Sequence, residues 1–175
     1  KISTATWTQL TDFPGGSRTS AVGFFLDGNI YVGTGNNNTT AAGSSDMWKY
    51  NVTSDSWSQV ANVPGTVRSQ ASTFTIGGFA YVGSGVRDDS TYEDSDLIYN
   101  LAYMNDFWKY DANQNTWTAV ADYPQGAGSL ESSFSIGDKG YVGLGTFSGN
   151  DTSAFWEYTT DSTTGINPLL QPNLK

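Results

Sequence analysis

An internal repeat is the feature of this sequence that most limits what the chain can fold into. Three octapeptides that begin with tryptophan and end with proline start at positions 7, 57 and 117, so their offsets are 50 and 60 residues. The same offsets relate three phenylalanines, Phe24, Phe74 and Phe134, and three Tyr-Val-Gly triplets at 31–33, 81–83 and 141–143. Landmarks that keep one register indicate three copies of a single structural unit.

A second motif, Trp-x-Tyr, shows where the units differ in length. It occurs at 48–50, 108–110 and 156–158, with spacings of 60 and then 48 residues. The second unit therefore holds about ten additional residues, which lie within the insert 86–105. The third unit ends before the lone tryptophan that follows this motif in the first two units.

Each unit predicts four short strands and no helix. The first strand is an apolar run at 19–26, 69–76 or 129–136, closed by a glycine-containing turn. The second strand carries Tyr-Val-Gly, the third carries Trp-x-Tyr, and the fourth starts at the lone tryptophan. No segment has sustained apolar spacing at helical period, while the chain contains 20 glycines and 14% aromatic residues. The sequence therefore predicts an all-β fold.

The pattern of the second unit, from Trp57 through Pro64, Arg68, the Tyr-Val-Gly triplet and Trp108 to Trp117, resembles a kelch repeat. The resemblance covers residues 7–159, although the usual Gly-Gly doublet is loosened to Gly-x-Gly in all three units. The repeats are also similar to those of secreted kelch proteins of Bacteroidetes-type bacteria. The resemblance implies kelch-type β-propeller blades, with three four-stranded blades per chain and a location outside the cell or at its surface after signal-peptide removal.

The phase of the repeats predicts one domain at 1–159, with repeats at about 11–60, 61–120 and 121–159 plus a strand at 7–10, followed by an extended tail at 160–175. Twelve strands result, because the strand at 7–10 is phased as a fourth strand. A propeller needs about four to eight blades, so three cannot close a ring within one chain. Two copies that exchange the strand would close a ring, and successive donation would give a fibre. A fragment of one longer propeller fits the same phase. The residues expected at the exchanged contact are Trp7, Leu10, Phe155, Trp156 and Tyr158.

Five residues are candidates for ligand binding. Arg18 and Arg68 match in position, and each either holds the loops by hydrogen bonds or meets an anionic ligand. Glu131 replaces an alanine of the other two units on a strand expected to line the channel. Tyr92 and Phe147 lie outside the repeat pattern, where an aromatic ring is available for sugar stacking.

The insert is the candidate metal site. Its acidic residues Asp88, Asp89, Asp94 and Asp96 offer the hard oxygen ligands that calcium accepts. Their spacing does not match an EF-hand loop, and a solvated acidic loop is the alternative. No other cofactor is expected.

Composition narrows the function. The chain has no cysteine and no histidine, so the copper site of kelch oxidases cannot form, and the kelch epimerases that act on sialic acid are matched only by Arg18, Arg68 and Glu131 without their histidine. A net charge of −9 argues against nucleic acid and anionic membranes as partners. No apolar run is long enough to insert into a membrane. We expect a non-enzymatic scaffold that assembles with itself and contacts surface proteins. The alternatives are a glycan-binding propeller and half of a longer carbohydrate-active propeller enzyme.

Overall fold

The computed structural model describes residues 5–37, 43–93, 96–98 and 100–160, which form twenty strands and no helix. The strands are β1 (Arg18–Thr19), β2 (Val22–Leu26), β3 (Asn29–Gly33), β4 (Asn36–Asn37), β5 (Met47–Asn51), β6 (Ser56–Val60), β7 (Ser72–Ile76), β8 (Phe79–Gly83), β9 (Val86–Asp88), β10 (Thr91–Glu93), β11 (Asp96–Ile98), β12 (Leu101–Tyr103), β13 (Phe107–Asp111), β14 (Thr116–Ala119), β15 (Gly128–Ser129), β16 (Ser132–Ile136), β17 (Lys139–Gly143), β18 (Thr146–Phe147), β19 (Asn150–Asp151) and β20 (Phe155–Thr159). The predicted all-β class is confirmed. Within these described ranges, no helix is long and apolar enough to cross a membrane.

Three antiparallel sheets correspond to the three sequence repeats. The first sheet has the order β2-β3-β5-β6, the second β7-β8-β13-β14, and the third β16-β17-β20. In each sheet the repeated phenylalanine lies opposite the tyrosine of Tyr-Val-Gly, as in the pair Phe74 and Tyr81. The eleven strands of these sheets are one fewer than predicted, because residues 7–10 form no strand with any described residue of their own chain.

The predicted first strands are interrupted at one position in each repeat. Ser20, Gln70 and Leu130 have φ values of 55°, 56° and 62°, in the left-handed region that breaks a strand. The run predicted at 19–26 is therefore divided between β1 and β2. The amide of Gln70 donates to the carbonyl of Ser20 at 3.0 Å, and that of Leu130 donates to Gln70 at 3.1 Å, so these bends join consecutive repeats.

The remaining strands form small sheets beside the three large ones. β1 pairs with β4, β9 with β12, β10 with β11, and β15, β18 and β19 form a three-stranded sheet. The insert predicted from the repeat spacing thus begins and ends with the paired strands β9 and β12. The predicted tail from residue 161 onward lies outside the described residues.

The core consists of two apolar layers between the large sheets. In one layer Phe24, Tyr31 and Met47 of the first sheet are buried with Val82 and Tyr110 of the second. The other layer contains Phe74, Ile76, Tyr81 and Phe107 of the second sheet, Val142 of the third and Tyr123 of the connecting segment. The second sheet therefore covers an apolar face of the first, and the third sheet covers an apolar face of the second.

Candidate functional site

The third sheet exposes a set of apolar side chains whose counterparts in the second sheet are buried. The exposed fractions are 44% for Phe134, 63% for Ile136 and 52% for Phe155, against 4% for Phe74, 3% for Ile76 and 4% for Phe107. The rings of Phe134, Tyr141 and Phe155 pack against one another, with centroids 5.4 to 6.0 Å apart. We call the surface formed by Phe134, Ile136, Tyr141 and Phe155 the open face. It has the composition of a core layer without a covering sheet.

The third sheet also has an edge strand where the other two have an internal one. β5 lies between β3 and β6, and β13 lies between β8 and β14, whereas among the described strands β20 pairs only with β17. An edge strand presents a row of backbone N–H and C=O groups that can pair with another strand. The predicted assembly residues Phe155, Trp156 and Tyr158 all lie on this strand.

The N-terminal segment is attached to the first sheet in the way that the first repeat is attached to the second sheet. Thr11 accepts a hydrogen bond at 3.0 Å on its carbonyl from the indole of Trp57, and its amide donates at 3.0 Å to Asp55. Ala61, which follows β6, accepts at 2.9 Å from the indole of Trp117, and its amide donates to Asn115. Residues 6–10 directly precede Thr11, just as β6 directly precedes Ala61. They are therefore the sequence equivalent of β6.

Trp7 and Leu10, the other two predicted assembly residues, are not covered by the described part of their own chain. Trp7 is fully exposed and Leu10 is 53% exposed. A solvent-exposed tryptophan next to an anchored residue is unusual, since an indole is among the most favourable groups to bury. The chain segment that carries them is held at Thr11, which is hydrogen-bonded to Asp55 and Trp57 of the first repeat.

Arg18 and Arg68 each clamp an aspartate of their own repeat. Arg68 is fully buried, and its five N–H groups point at Asp106 and at the carbonyls of Pro64, Thr66 and Ser84. Arg18 likewise makes a bidentate pair with Asp46, at 2.7 and 2.9 Å. These contacts favour the loop-holding role, because an anionic ligand would have to break bonds already made; ligand binding by either arginine stays a prediction.

The paired aspartates are held in the ionised form. Burial opposes ionisation of Asp106, but hydrogen bonds from Arg68 and from the indole of Trp108 outweigh it and hold the pKa of this carboxyl below its usual value. Arg18 and Trp48 lower the pKa of Asp46 in the same way, against the opposing effect of burial. Tryptophan, aspartate and arginine thus form the same polar cluster in the first two repeats, at the N-terminal ends of β5 and β13.

Glu131 lies at the junction of the second and third sheets. Its Oε1 is 2.5 Å from the Ser84 hydroxyl, and its Oε2 accepts from Ser72 at 3.1 Å. The Ser84 hydroxyl also lies 2.7 Å from the carbonyl oxygen of Gly128. Burial raises the pKa of the Glu131 carboxyl, although the hydrogen bonds from both serines partly offset it. Sequence reasoning singled out Glu131 but missed Ser72, the first residue of β7, and Ser84, which follows β8, because serine is common throughout this sequence and carries no distinguishing signal.

The other candidates are dispersed. Phe147 is half-buried in β18, and its ring fills the space above Gly126, while Tyr92 lies in β10 and its side chain is outside the described part of the structure. The structure does not bring either of them to Glu131 in any contact described. A sugar-binding role for the two aromatics stays a prediction.

The acidic insert offers two described carboxylates. Asp89 pairs with the guanidinium of Arg87 at 2.8 Å, and Asp88 accepts a hydrogen bond from the amide of Ser90 at 2.9 Å. Asp94 lies outside the described residues, and Asp96 begins β11 without a described side chain. In the part of the chain that the structure describes, no group of three or more potential metal ligands occurs. Calcium binding by this insert stays a prediction.

No protein-family model and no curated protein matches this chain. Among solved structures, 127 chains match it. One is the structure of YjhT, with 25% sequence identity and a TM-score of 0.70, and the alignment covers 88% of this chain and 53% of that one. The chain therefore spans about half the length of this structural relative.

Proposed function

We propose that this protein is a non-enzymatic scaffold of the cell surface or extracellular space, built from three kelch-type propeller blades, that works by assembling with copies of itself. One observation carries the proposal: the open face of the third sheet is exposed, while the same positions are buried in the first two sheets. A core layer left in water is unfavourable, and a further sheet of the same kind is its natural cover.

The arrangement of the sheets supports a second copy as the cover. Among the described strands, none lies beside β20 where β6 and β14 lie beside β5 and β13, and residues 7–10 have the repeat phase of that fourth strand. Exchange of this strand between copies would complete the third sheet and bring the first sheet of one copy against the open face of another. Two three-bladed chains give six blades, within the four to eight that a propeller needs.

The hydrophobic contribution is large enough to matter. Burying the surface of Phe134, Ile136 and Phe155 that is still exposed contributes about 1 kcal/mol for each side chain, since each is already about half buried, before the entropy of association is subtracted. An interface of this kind also satisfies the backbone groups of β20. Both effects favour assembly at ordinary protein concentration.

Replacing the open face with polar residues tests this function. We expect the double variant Phe134→Ser, Ile136→Ser to be monomeric by light scattering after size exclusion, at concentrations where the wild-type chain is a dimer or larger. Val52→Ser is the matched control, because Val52 is an exposed apolar residue in a turn away from this face. A wild-type chain that stays monomeric at high concentration contradicts the proposal.

A glycan-binding propeller, or half of a longer carbohydrate-active one, is the second candidate. The observation that favours it is Glu131, a carboxyl partly shielded from water at the inner end of the third sheet. Under this alternative a sugar should protect the wild-type chain against heating, and Glu131→Gln should remove that protection.

A further inference from the structure

A small apolar cavity lies between the second and third sheets, beside the outer edge of β20. Its walls include Ala121, Tyr123, Val142, Trp156 and Tyr158. Tyr158 also packs against the second sheet, with its ring 5.5 Å from Phe74. The cavity therefore lies directly beside the edge of β20 on which the described part of the chain places no fourth strand.

The corresponding places in the first two sheets are filled by indole rings. Trp57 packs against Tyr50 with ring centroids 4.9 Å apart and donates to the carbonyl of Thr11. Trp117 lies 4.8 Å from the tyrosine opposite it and donates to the carbonyl of Ala61. In the third repeat, Tyr158 is equivalent to the tyrosines that stack on these indoles, and Ala121 is equivalent to the residues whose carbonyls accept from them. Both Tyr158 and Ala121 line the cavity.

We propose that this cavity is an indole-binding site and that its occupant is Trp7 of a second copy. The inference rests on the proposed self-assembly and specifies its contact. The indole of Trp7 stacks on Tyr158 and donates its N–H to the carbonyl of Ala121. Trp7 cannot fill the cavity of its own chain in the observed arrangement, because Thr11 holds the N-terminal segment against the first sheet and Trp7 is fully exposed there.

The internal pairings also fix the register of the exchanged strand. Tyr50 pairs with Trp57, and Tyr110 pairs with Trp117. The same rule pairs Tyr158 with Trp7, and three residues away along the strand Phe155 lies opposite Leu10. Leu10 thereby reaches the open face, which accounts for its being apolar at a position that is exposed in one copy.

A peptide measures the indole site separately from assembly. The receptor is the full chain with Trp7→Ala, and the probe is a fluorescently labelled peptide of residues 5–12, followed by fluorescence anisotropy. We expect saturable binding that weakens by at least about tenfold when the peptide carries Trp7→Ala. The receptor variant Ala121→Leu, which fills the cavity from an exposed position, should weaken binding equally, whereas Thr53→Leu in a distant turn should not. Equal binding of both peptides, or no effect of Ala121→Leu, overturns the indole site even if the wild-type chain assembles.

Engineered disulfides test the register in the assembled full chain. The sequence contains no cysteine, so an introduced pair has no competing thiols. In the proposed register, position 8 of one copy lies directly opposite position 157 of another. Oxidation of the double variant Thr8→Cys, Glu157→Cys should therefore link different copies. Leu10→Cys with Glu157→Cys is two residues out of register and should remain largely unlinked, because a disulfide needs Cα atoms about 4.4–6.8 Å apart. Efficient linkage of the shifted pair alone contradicts the register.

Discussion

The third repeat lacks both residues of the Arg–Asp ion pair that the first two repeats contain, and this changes the distribution of charge around it. Gly128 and Ala154 stand where the second repeat has the buried Arg68 and its ion-pair partner Asp106. A Cβ atom added to Gly128 would lie 2.8 Å from Oε1 of Glu131, so the glutamate side chain occupies the space beside this glycine. The third repeat has exchanged a compensated ion pair for a single carboxyl held by two serines.

The contacts of Ser84 indicate which form of Glu131 the site favours. A hydroxyl has one hydrogen, yet Ser84 Oγ is within bonding distance of both Glu131 Oε1 and the carbonyl of Gly128. Ser84 therefore shares its one hydrogen between two acceptors, which stabilises the carboxylate form of Glu131 less than an undivided hydrogen bond would. This donor arrangement agrees with the direction in which burial shifts the pKa of Glu131.

The protonation of Glu131 gives a pH dependence of stability with a definite sign. Because its folded pKa is raised above the unfolded value, Glu131 stabilises the fold below the unfolded pKa and loses this contribution as pH rises through the folded pKa. Glu131→Gln mimics the protonated form. We therefore expect the melting temperature of the variant minus that of the wild type to increase between about pH 4.5 and pH 7.

The difference in melting temperature between variant and wild type cancels the pH dependence that Asp46 and Asp106 contribute, which has the opposite sign. Their pKa values are lowered, so they destabilise the fold as pH falls, but both proteins contain them. Glu157→Gln is the control, because Lys139 and Tyr141 lower the pKa of this exposed carboxyl and the sign is reversed. A difference for Glu131→Gln that stays flat or decreases with pH would show that this carboxyl is not buried between the second and third sheets.

At the level of elements, the strands could be predicted from sequence and their interruptions could not. Trp-x-Tyr and Tyr-Val-Gly mark strands with alternating burial, and these were located correctly. Ser20, Gln70 and Leu130 share no side-chain type, so nothing in the sequence marks them as left-handed. Their conformation follows from backbone hydrogen bonds between repeats, which are a tertiary effect.

The candidate site was predictable to a similar degree. The repeat phase alone predicted that the third sheet ends without its own fourth strand and that Trp7 and Leu10 need cover, and strand exchange between copies stays a prediction. The anchoring of Thr11 by Asp55 could not be foreseen, because it depends on a loop 44 residues away in the chain. The cavity beside Tyr158 is likewise defined only by how the second and third sheets pack.

The Gly-x-Gly element has a structural requirement at its second glycine. Gly85 has φ of 98°, and a Cβ there would lie 2.7 Å from the carbonyl oxygen of Ser69. Gly77, in the turn between β7 and β8, has φ of 59°, and a Cβ there would have no neighbouring atom within 4 Å. Gly85 is therefore required both by its left-handed backbone and by the close contact with Ser69. Gly77 is required only by its left-handed backbone.

We expect Gly85→Ala to lower the free energy of unfolding by about 3 kcal/mol and Gly77→Ala by about 1 kcal/mol. The difference between the two arises from the contact with Ser69, since the left-handed backbone is common to both. Urea denaturation of both variants measures this difference in the free energy of unfolding. The dependence of that free energy on urea concentration is compared with that of the wild type. Equal losses at the two positions would mean that β9 and the strand bend at Gln70 do not approach as closely as these distances require.

At the level of the whole molecule, the pattern of contacts between sheets decides how copies would assemble. Gln70 donates to Ser20 and Leu130 donates to Gln70, so each repeat is placed relative to the previous one by the same backbone bond. Continuing this relation puts Ser20 of a second copy beside Leu130 of the first, in a head-to-tail contact. Head-to-tail contacts close into a ring if the rotation per copy divides a full turn, and otherwise grow into a fibre.

Under the proposed self-assembly, two copies of this 175-residue chain supply six sheets, and we expect closure with two copies. Six sheets lie within the range of closed propellers, and closure covers both open faces and both β20 edges at once. The mass in solution should therefore reach a plateau at twice 18.8 kDa as concentration increases, with two-fold symmetry. Analytical ultracentrifugation over a concentration series measures this, and Trp7→Ala should shift the plateau toward the monomer while the circular dichroism spectrum is retained. Mass that continues to rise with concentration would contradict closure and indicate a fibre, in which each copy donates its N-terminal strand to the next.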